Sequence, residues 1–300
     1  MNRPYLIAGG IIFLNALLFI TVWFIIKPAP NVTPTSTSTE TPTTAESESV
    51  YQRYEVIGSS VEGRALESYS FGSGTSRILF VGGVHGGYEW NSILLAYKAI
   101  DYLAEHPELV PDDITVTIIP NLNPDGTYAA IGTTGRFTVA QIPNDTGRAT
   151  GTGRFNAKGV DLNRNFDCKW QPESSWRNNP VSAGTTVFSE PEAATLRDFV
   201  LTHEPKAAVF WHSQANAVYG SACDEGILPA TTRLLNTYAI AANYTAIPIF
   251  TAYPVTGDAE SWLATLGIPA ITVELATHES IEWEKNQAGM LAVIKAYSTK

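Results

Sequence analysis

Two apolar runs in this chain stop at a histidine, and they constrain the fold more than any other feature. Residues 78–84 run into His85, and residues 207–211 run into His212. Short apolar runs bounded by small or polar residues read as strands buried on both faces. Between them, Ile93, Leu94, Tyr97, Ile100 and Leu103 share one side of a helical stretch over 91–105. Further strands are expected at 54–59, 65–71, 114–119 and 270–275. Helices are expected from about 190 to His203, over 228–242 and over 282–297. Ser189, Pro191 and Glu192 fit a capping box with proline in the first turn. Strands alternating with helices predict an α/β domain: a mixed, mostly parallel twisted sheet with helices on both faces. In such sheets ligands bind beyond the carboxyl ends of the strands. Residues 126–160, rich in Gly, Thr and Asn, read as one long functional loop.

The first 50 residues do not suit a globular core. Residues 5–26 are 22 residues without a charge, enough at about 1.5 Å per residue to span a hydrocarbon layer of roughly 30 Å. Residues 1–27 are therefore expected to be a cytoplasmic stub and one transmembrane helix. Arg3 lies before the apolar stretch and Lys27 after it, and the free amino terminus favours a cytoplasmic start. A cleaved signal peptide is the rival reading, against which stand the length and the lack of a nearby small-x-small site. Residues 28–50 are a linker: 13 of the 19 residues in 31–49 are Thr, Ser or Pro, a composition that stays extended. Residues 51–300 form the expected catalytic domain, held outside the cytoplasm by a single-pass anchor.

The formal net charge is −10, and the first 50 residues hold two positive and three negative charges, so −9 belongs to the domain. That disfavours nucleic acid and anionic membrane surfaces as partners. Cys168 and Cys223 are the only cysteines. Outside the cytoplasm two cysteines usually pair, so a disulfide is expected, with two buried thiols as the alternative.

Of five histidines, His106 and His203 precede prolines or a Glu-Pro pair at helix ends, where an imidazole complements the dipole. His278 is ambiguous. His85 and His212 follow apolar strands, and Glu89 stands four residues after His85. Two His and one Glu with a position left for water form a catalytic zinc set. One Zn2+ ion is expected, lowering the pKa of a water to about 7. Glu274 closes the buried run 269–274 and is expected to act as general base and then acid, with a buried ion pair as the alternative. Arg164 offers a planar fork for a carboxylate and Asn163 an amide donor, although the run 159–166 alone also fits an ordinary loop. No G-x-S-x-G is present, and Ser213 beside His212 does not make a triad.

Taken in order, these segments resemble the zinc metallocarboxypeptidases of the carboxypeptidase A/B type. Gly58-Ser59-Ser60-Val61-Glu62-Gly63-Arg64, Gly82-Gly83-Val84-His85-Gly86, Asn123-Pro124-Asp125-Gly126 and Asp161-Leu162-Asn163-Arg164-Asn165-Phe166 follow the family's order. Trp211-His212-Ser213, Tyr253-Pro254-Val255-Thr256-Gly257 and Thr272-Val273-Glu274-Leu275 complete it. The resemblance implies zinc on His85, Glu89 and His212, with Glu274 activating water. It further implies a substrate carboxylate held by Asn163 and Arg164, with Tyr253 closing over it. The arginine that stabilises the oxyanion would be Arg154, with Arg148 as the fallback. One departure stands out: the family places its ligand Glu three residues after the His, where this chain has Tyr88. Offsets of three and four share a helix face, so ligation by Glu89 is still expected.

Near Trp262 the chain reads Asp258-Ala259-Glu260, where the family lines its pocket for the terminal side chain. Glu260, or Asp258, is expected to meet a substrate amine such as that of diaminopimelate; a solvated loop is the alternative. The anchor and stalk resemble bacterial members that trim murein peptides. The expected protein is thus an extracytoplasmic, monomeric zinc carboxypeptidase acting on peptides with a free carboxylate, possibly peptidoglycan stem peptides. A zinc deacylase or amidase on N-acyl amino acids, and a non-catalytic wall-binding module, are the competing classes.

Overall fold

In the computed structural model, which describes residues 52–144, 151–177 and 179–300, one eight-stranded sheet organises the chain. Its strands are β1 (Gln52–Ser59), β2 (Ala65–Phe71), β3 (Ser76–Val81), β4 (Ile114–Ile119), β7 (Ala207–Ser213), β8 (Ala217–Gly220), β9 (Thr245–Ile247) and β10 (Ala270–Leu275). Their spatial order is β1-β2-β4-β3-β7-β10-β8-β9. The pairs β3/β4, β3/β7, β7/β10 and β8/β9 are parallel, while β1/β2, β2/β4 and β8/β10 are antiparallel. A two-stranded hairpin, β5 (Glu173–Trp176) with β6 (Asn179–Ser182), stands apart. The mixed, mostly parallel sheet is the one expected, and these residues lie in a unit spanning Ser47–Lys300. The expected anchor and linker, residues 1–50, lie outside the described residues. Among the described residues no helix is long and apolar enough to cross a membrane.

Successive residues of a strand point to opposite faces, and the core divides accordingly. Phe80, Val209, Trp211 and Ile271 pack under α1 (Trp90–Glu105), α4 (Pro229–Ala242) and α6 (Trp283–Tyr297). Leu79, Val81, Ala208 and Phe210 pack under α3 (Pro191–His203) and α5 (Ala259–Thr265). All seven residues of β7 are buried, which is why its sequence reads as a continuous apolar run.

Four expectations need correction. The run 78–84 stops being strand at Val81, and Gly83 turns with φ +63. His85 therefore sits in a loop beyond the strand. The segment 126–160 is not loop throughout: α2 (Pro124–Ile131) is capped by Asn123, whose side chain accepts from the Gly126 N–H, and stopped by Gly132 at φ 83. The solvated-loop alternative near Trp262 gives way to α5, capped by Asp258. The capping box at α3 does not form. Glu190 holds the cap position without a side-chain bond. Ser189 instead donates to Glu190, and the buried Glu192 accepts from the Val61 N–H at 3.1 Å.

Candidate active site

The central strands β3, β7 and β10 run parallel side by side, so their carboxyl ends open onto one place. There a cavity of about 780 Å³ has His85, Glu89, Arg154, Arg164, His212 and Glu274 in its wall. Asn163, Tyr253 and Glu260 line it as well. Every described site residue picked from the sequence thus meets in one cavity; Arg148 lies outside the described residues.

Ligand-capable atoms of His85, Glu89 and His212 all lie within 4.8 Å of one another, and all three residues are buried. The four-residue offset from His85 is absorbed by a single 3-10 turn over Gly86–Glu89, after which α1 begins at Trp90. Gly86 adopts φ +47 there, and a side chain on it would meet the Gly153 carbonyl oxygen at 2.7 Å, so the turn has no room for another residue type. Glu89 Oε2 approaches His212 Nδ1 at 3.0 Å. His85 Nδ1 is buried without a hydrogen bond, 3.6 Å from Asp161 Oδ1. Burial and the nearby Arg154 guanidinium hold the His85 pKa well below the ordinary histidine value, which keeps a ring lone pair free. Burial also opposes charge on His212, but the Glu89 and Glu260 carboxylates outweigh it and raise its pKa. Two imidazoles and a carboxylate in a buried cluster suit zinc, and the residues fit one such ion.

Glu274 is the register partner of His212 across the parallel β7/β10 pair. Burial first, and the Glu89 charge second, push its pKa up to about 8. Its Oε2 atom has no hydrogen-bond partner. A carboxylate poised near neutrality and free at one oxygen is suited to accept and return a proton.

Arg154 bonds Asp161 Oδ2 through Nε at 3.1 Å and Nη2 at 2.7 Å, and its Nη1 lies 3.9 Å from Glu89 Oε1. Its guanidinium stacks 4.5 Å from the Trp176 ring centroid. Arg164 turns its fork to backbone carbonyls: Nε and Nη2 reach the Ser175 oxygen at 3.2 and 3.0 Å. Asn163 Oδ1 accepts the Ala259 N–H at 2.9 Å, which fixes its amide orientation. Tyr253 packs its ring 4.8 Å from that of Phe250 in the same cavity-lining segment.

The sequence model of the zinc carboxypeptidase family matches residues 41–292. The chain belongs to the zinc carboxypeptidase family. Carboxypeptidase B of Helicoverpa zea is 28% identical over 249 residues, covering 72% of this chain and 56% of that protein. Gamma-D-glutamyl-L-diamino acid endopeptidase 1 of Lysinibacillus sphaericus is 24% identical over 245 residues, covering 74% of this chain and 60% of that protein. The chain therefore spans less than two thirds of these relatives' length. The crystal structure of murein-tripeptide amidase MpaA from Escherichia coli O157 superposes with a TM-score of 0.58 at 22% identity, covering 82% of this chain and 92% of that one. That likeness is one of fold.

As a member of the zinc carboxypeptidase family, the chain carries residues to which its sequence alone assigns no role. Asp161 opens the Asp-Leu-Asn-Arg segment, faces His85 and anchors Arg154. Its place in a motif already singled out was the available signal. Tyr88 occupies the family's usual ligand position; its ring meets those of Trp176 and His278 at 5.2 and 4.9 Å. The ambiguous His278 is a buttress, with Nδ1 2.7 Å from Ser213 Oγ, which in turn donates to Asn91 Oδ1 at 3.0 Å. His106 and His203 stay at helix ends, tilted against the rings of Tyr102 and Phe199. Cys168 and Cys223 are bonded.

Proposed function

We propose that this chain is a membrane-anchored, extracytoplasmic zinc carboxypeptidase that hydrolyses a peptide bond near a free carboxylate, with murein stem peptides as its substrate. The observation that carries the catalytic reading is the convergence of His85, Glu89, His212 and Glu274 on one cavity. The arginines in that cavity's wall support an anionic peptide end. The cell-wall reading is supported by the relative named for cleaving γ-D-glutamyl-L-diamino acid bonds and by the charge-free stretch 5–26.

His85, Glu89 and His212 would hold a zinc ion, which would supply a Lewis acid for the scissile carbonyl. Glu274 takes a proton from the attacking water at its free carboxylate oxygen and returns it to the leaving amine. Arg154, rigidly paired with Asp161, presents positive charge to the oxyanion that develops. Arg164 and Asn163 hold the substrate carboxylate. Arg164 exchanges its bonds to the Ser175 carbonyl for that charged partner, which is the stronger acceptor. Tyr253 covers the bound end.

The test is mass spectrometry of stem tripeptides, stem tetrapeptides and Lys- or Arg-ended peptides incubated with the purified full chain, with and without a zinc chelator. Chelator-sensitive loss of one terminal residue is expected. Hydrolysis of N-acyl amino acids alone would transfer the assignment to a deacylase. No turnover by zinc-loaded protein would leave only a binding module.

A further inference from the structure

Strand β5 passes the arginines of the cavity in order. The Ser175 carbonyl accepts from Arg164 Nη2 at 3.0 Å, and the next residue, Trp176, lays its ring 4.5 Å from the Arg154 guanidinium. Arg177 follows at the hairpin turn, in the left-handed region at φ 57. It is exposed, lines the same cavity, and packs its guanidinium 5.3 Å from the Trp176 ring centroid. The indole that carries both guanidinium groups is itself held, with the Tyr88 ring 5.2 Å and the Phe155 ring 6.4 Å away in T-shaped contacts.

Arg177 is the third arginine in a wall that has no lysine. Arg154 is paired with Asp161, and Arg164 turns to the Ser175 oxygen. Among the described residues no carboxylate pairs with Arg177, although the chain as a whole has a formal net charge of −10. A guanidinium fixed on an aromatic ring at a cavity mouth, with no acid of its own, suits an anion brought by the ligand. The order along β5 places that anion. Arg164 is the proposed holder of the terminal carboxylate and Arg154 faces the oxyanion, so Arg177 lies past the scissile carbonyl, on the amino side of the bond. Under the reading proposed above, that bond is of the γ-D-glutamyl-L-diamino acid kind. A γ-linkage runs through the side-chain carbonyl and leaves the glutamyl α-carboxylate free on that side; an α-linked neutral residue has no such group.

We propose that Arg177 determines specificity by binding, through its planar fork, the free α-carboxylate of a γ-linked glutamyl residue beside the cleaved bond. The proposal rests on the stem-peptide reading and narrows it to substrates with two carboxylates, one terminal and one next to the scissile bond. Trp176 serves both ends of this arrangement, since the same ring orients Arg154 for the oxyanion and Arg177 for the second carboxylate.

Two synthetic peptides decide the matter: L-Ala-γ-D-Glu-L-Lys and its α-amide, L-Ala-γ-D-isoglutaminyl-L-Lys, each incubated with the zinc-loaded full chain. The kcat/KM for the carboxylate peptide should exceed that for the amide by about tenfold, the scale of one charge-assisted hydrogen bond. The difference should lie in KM, as for a group that binds without reacting. In Arg177→Ala the ratio of the two peptides should fall to about one. A wild-type ratio of one overturns the proposal, as does a ratio that survives in Arg177→Ala. Arg177→Lys keeps the charge without the fork and covers the case in which the alanine variant does not fold. Its ratio is expected to be intermediate, and an undiminished ratio overturns the proposal. Wild-type protein that cleaves neither γ-linked peptide overturns the stem-peptide reading and this proposal together, whereas equal cleavage of the two overturns this proposal alone.

Discussion

Glu274 and His212 face each other as register partners in the parallel pairing of β10 with β7. One ladder position therefore places the proposed general base beside a proposed metal ligand, and both backbones are held by the same sheet. Side chains built on buried strands keep their geometry better than those on loops. Burial first, and the like charge of Glu89 second, keep the Glu274 proton affinity high.

Replacing Glu274 by Gln should leave the metal cluster intact, since the amide fills the same volume and adds no charge beside Glu89. Turnover should fall by about 10²–10⁴, the usual contribution of a positioned acid–base group. Zinc should remain bound at one equivalent. Atomic absorption alongside peptide hydrolysis checks both, and unchanged turnover would remove Glu274 from the mechanism.

Gly257 should not tolerate a side chain. It sits at φ +72, and an added Cβ would lie 2.2 Å from the Arg164 carbonyl oxygen. Its N–H donates to the Cys168 oxygen at 2.7 Å and its carbonyl accepts from the Phe166 N–H at 2.9 Å. Gly257→Ala must push this loop and Arg164 apart, at a cost of about 1–3 kcal/mol. A urea melt should show the loss, and KM should rise more than kcat falls because Arg164 binds rather than reacts. Wild-type KM in the variant would argue against carboxylate binding by Arg164.

The central strands were legible because burial on both faces leaves an uninterrupted apolar run over 207–211 and a run of β-branched residues over 114–119. The long helices showed through their periodicity. The short elements did not. The eight residues of α2 contain Gly126, and the seven of α5 span barely two turns, too few to set a periodicity against turn-like composition. Their stop and start signals at Asn123, Gly132 and Asp258 were present but weak singly. His85, His212 and Glu274 could be found because each stands beyond or at the end of an apolar strand. The bearing of Glu260 and Asp161 on the histidines could not, because it depends on how distant segments pack. Ser189 fitted a capping box on sequence spacing, yet a neighbouring contact with Glu190 claimed its hydroxyl.

Glu282 should make stability depend on acid pH. Burial alone would raise its pKa, but the Ala276 N–H at 2.7 Å, Lys285 Nζ at 3.0 Å and the Tyr244 hydroxyl at 2.9 Å bring it below the ordinary carboxylate value. A group lowered on folding stabilises the protein above its unfolded pKa, about 4.3 for Glu, and loses that contribution as pH falls through the folded value. Wild type should therefore exceed Glu282→Gln by about 1–2 kcal/mol at pH 7, with the difference shrinking below about pH 4.3. Thermal melts of both proteins from pH 7 to pH 3 test this. A difference that stays constant across the range would show that the carboxylate charge is not the source.

The Cys168–Cys223 bridge should matter to binding as well as to stability. It closes a separation of 55 residues, and removing a cross-link of that span relaxes the unfolded chain and costs about 2–4 kcal/mol. Cys168 follows the Asn163–Arg164 segment in sequence and bonds Gly257, while Cys223 follows Ser221 and Ala222, which line the cavity. The bridge thus fastens the Asn163–Arg164 segment, proposed to bind the carboxylate, to another part of the cavity wall. Cys168→Ser with Cys223→Ser should lower the melting temperature and raise KM for a carboxylate-ended peptide, while zinc affinity holds because no ligand is attached to either loop. Equal denaturant midpoints for the oxidised and the double-serine proteins would show that the rest of the core already fixes these segments.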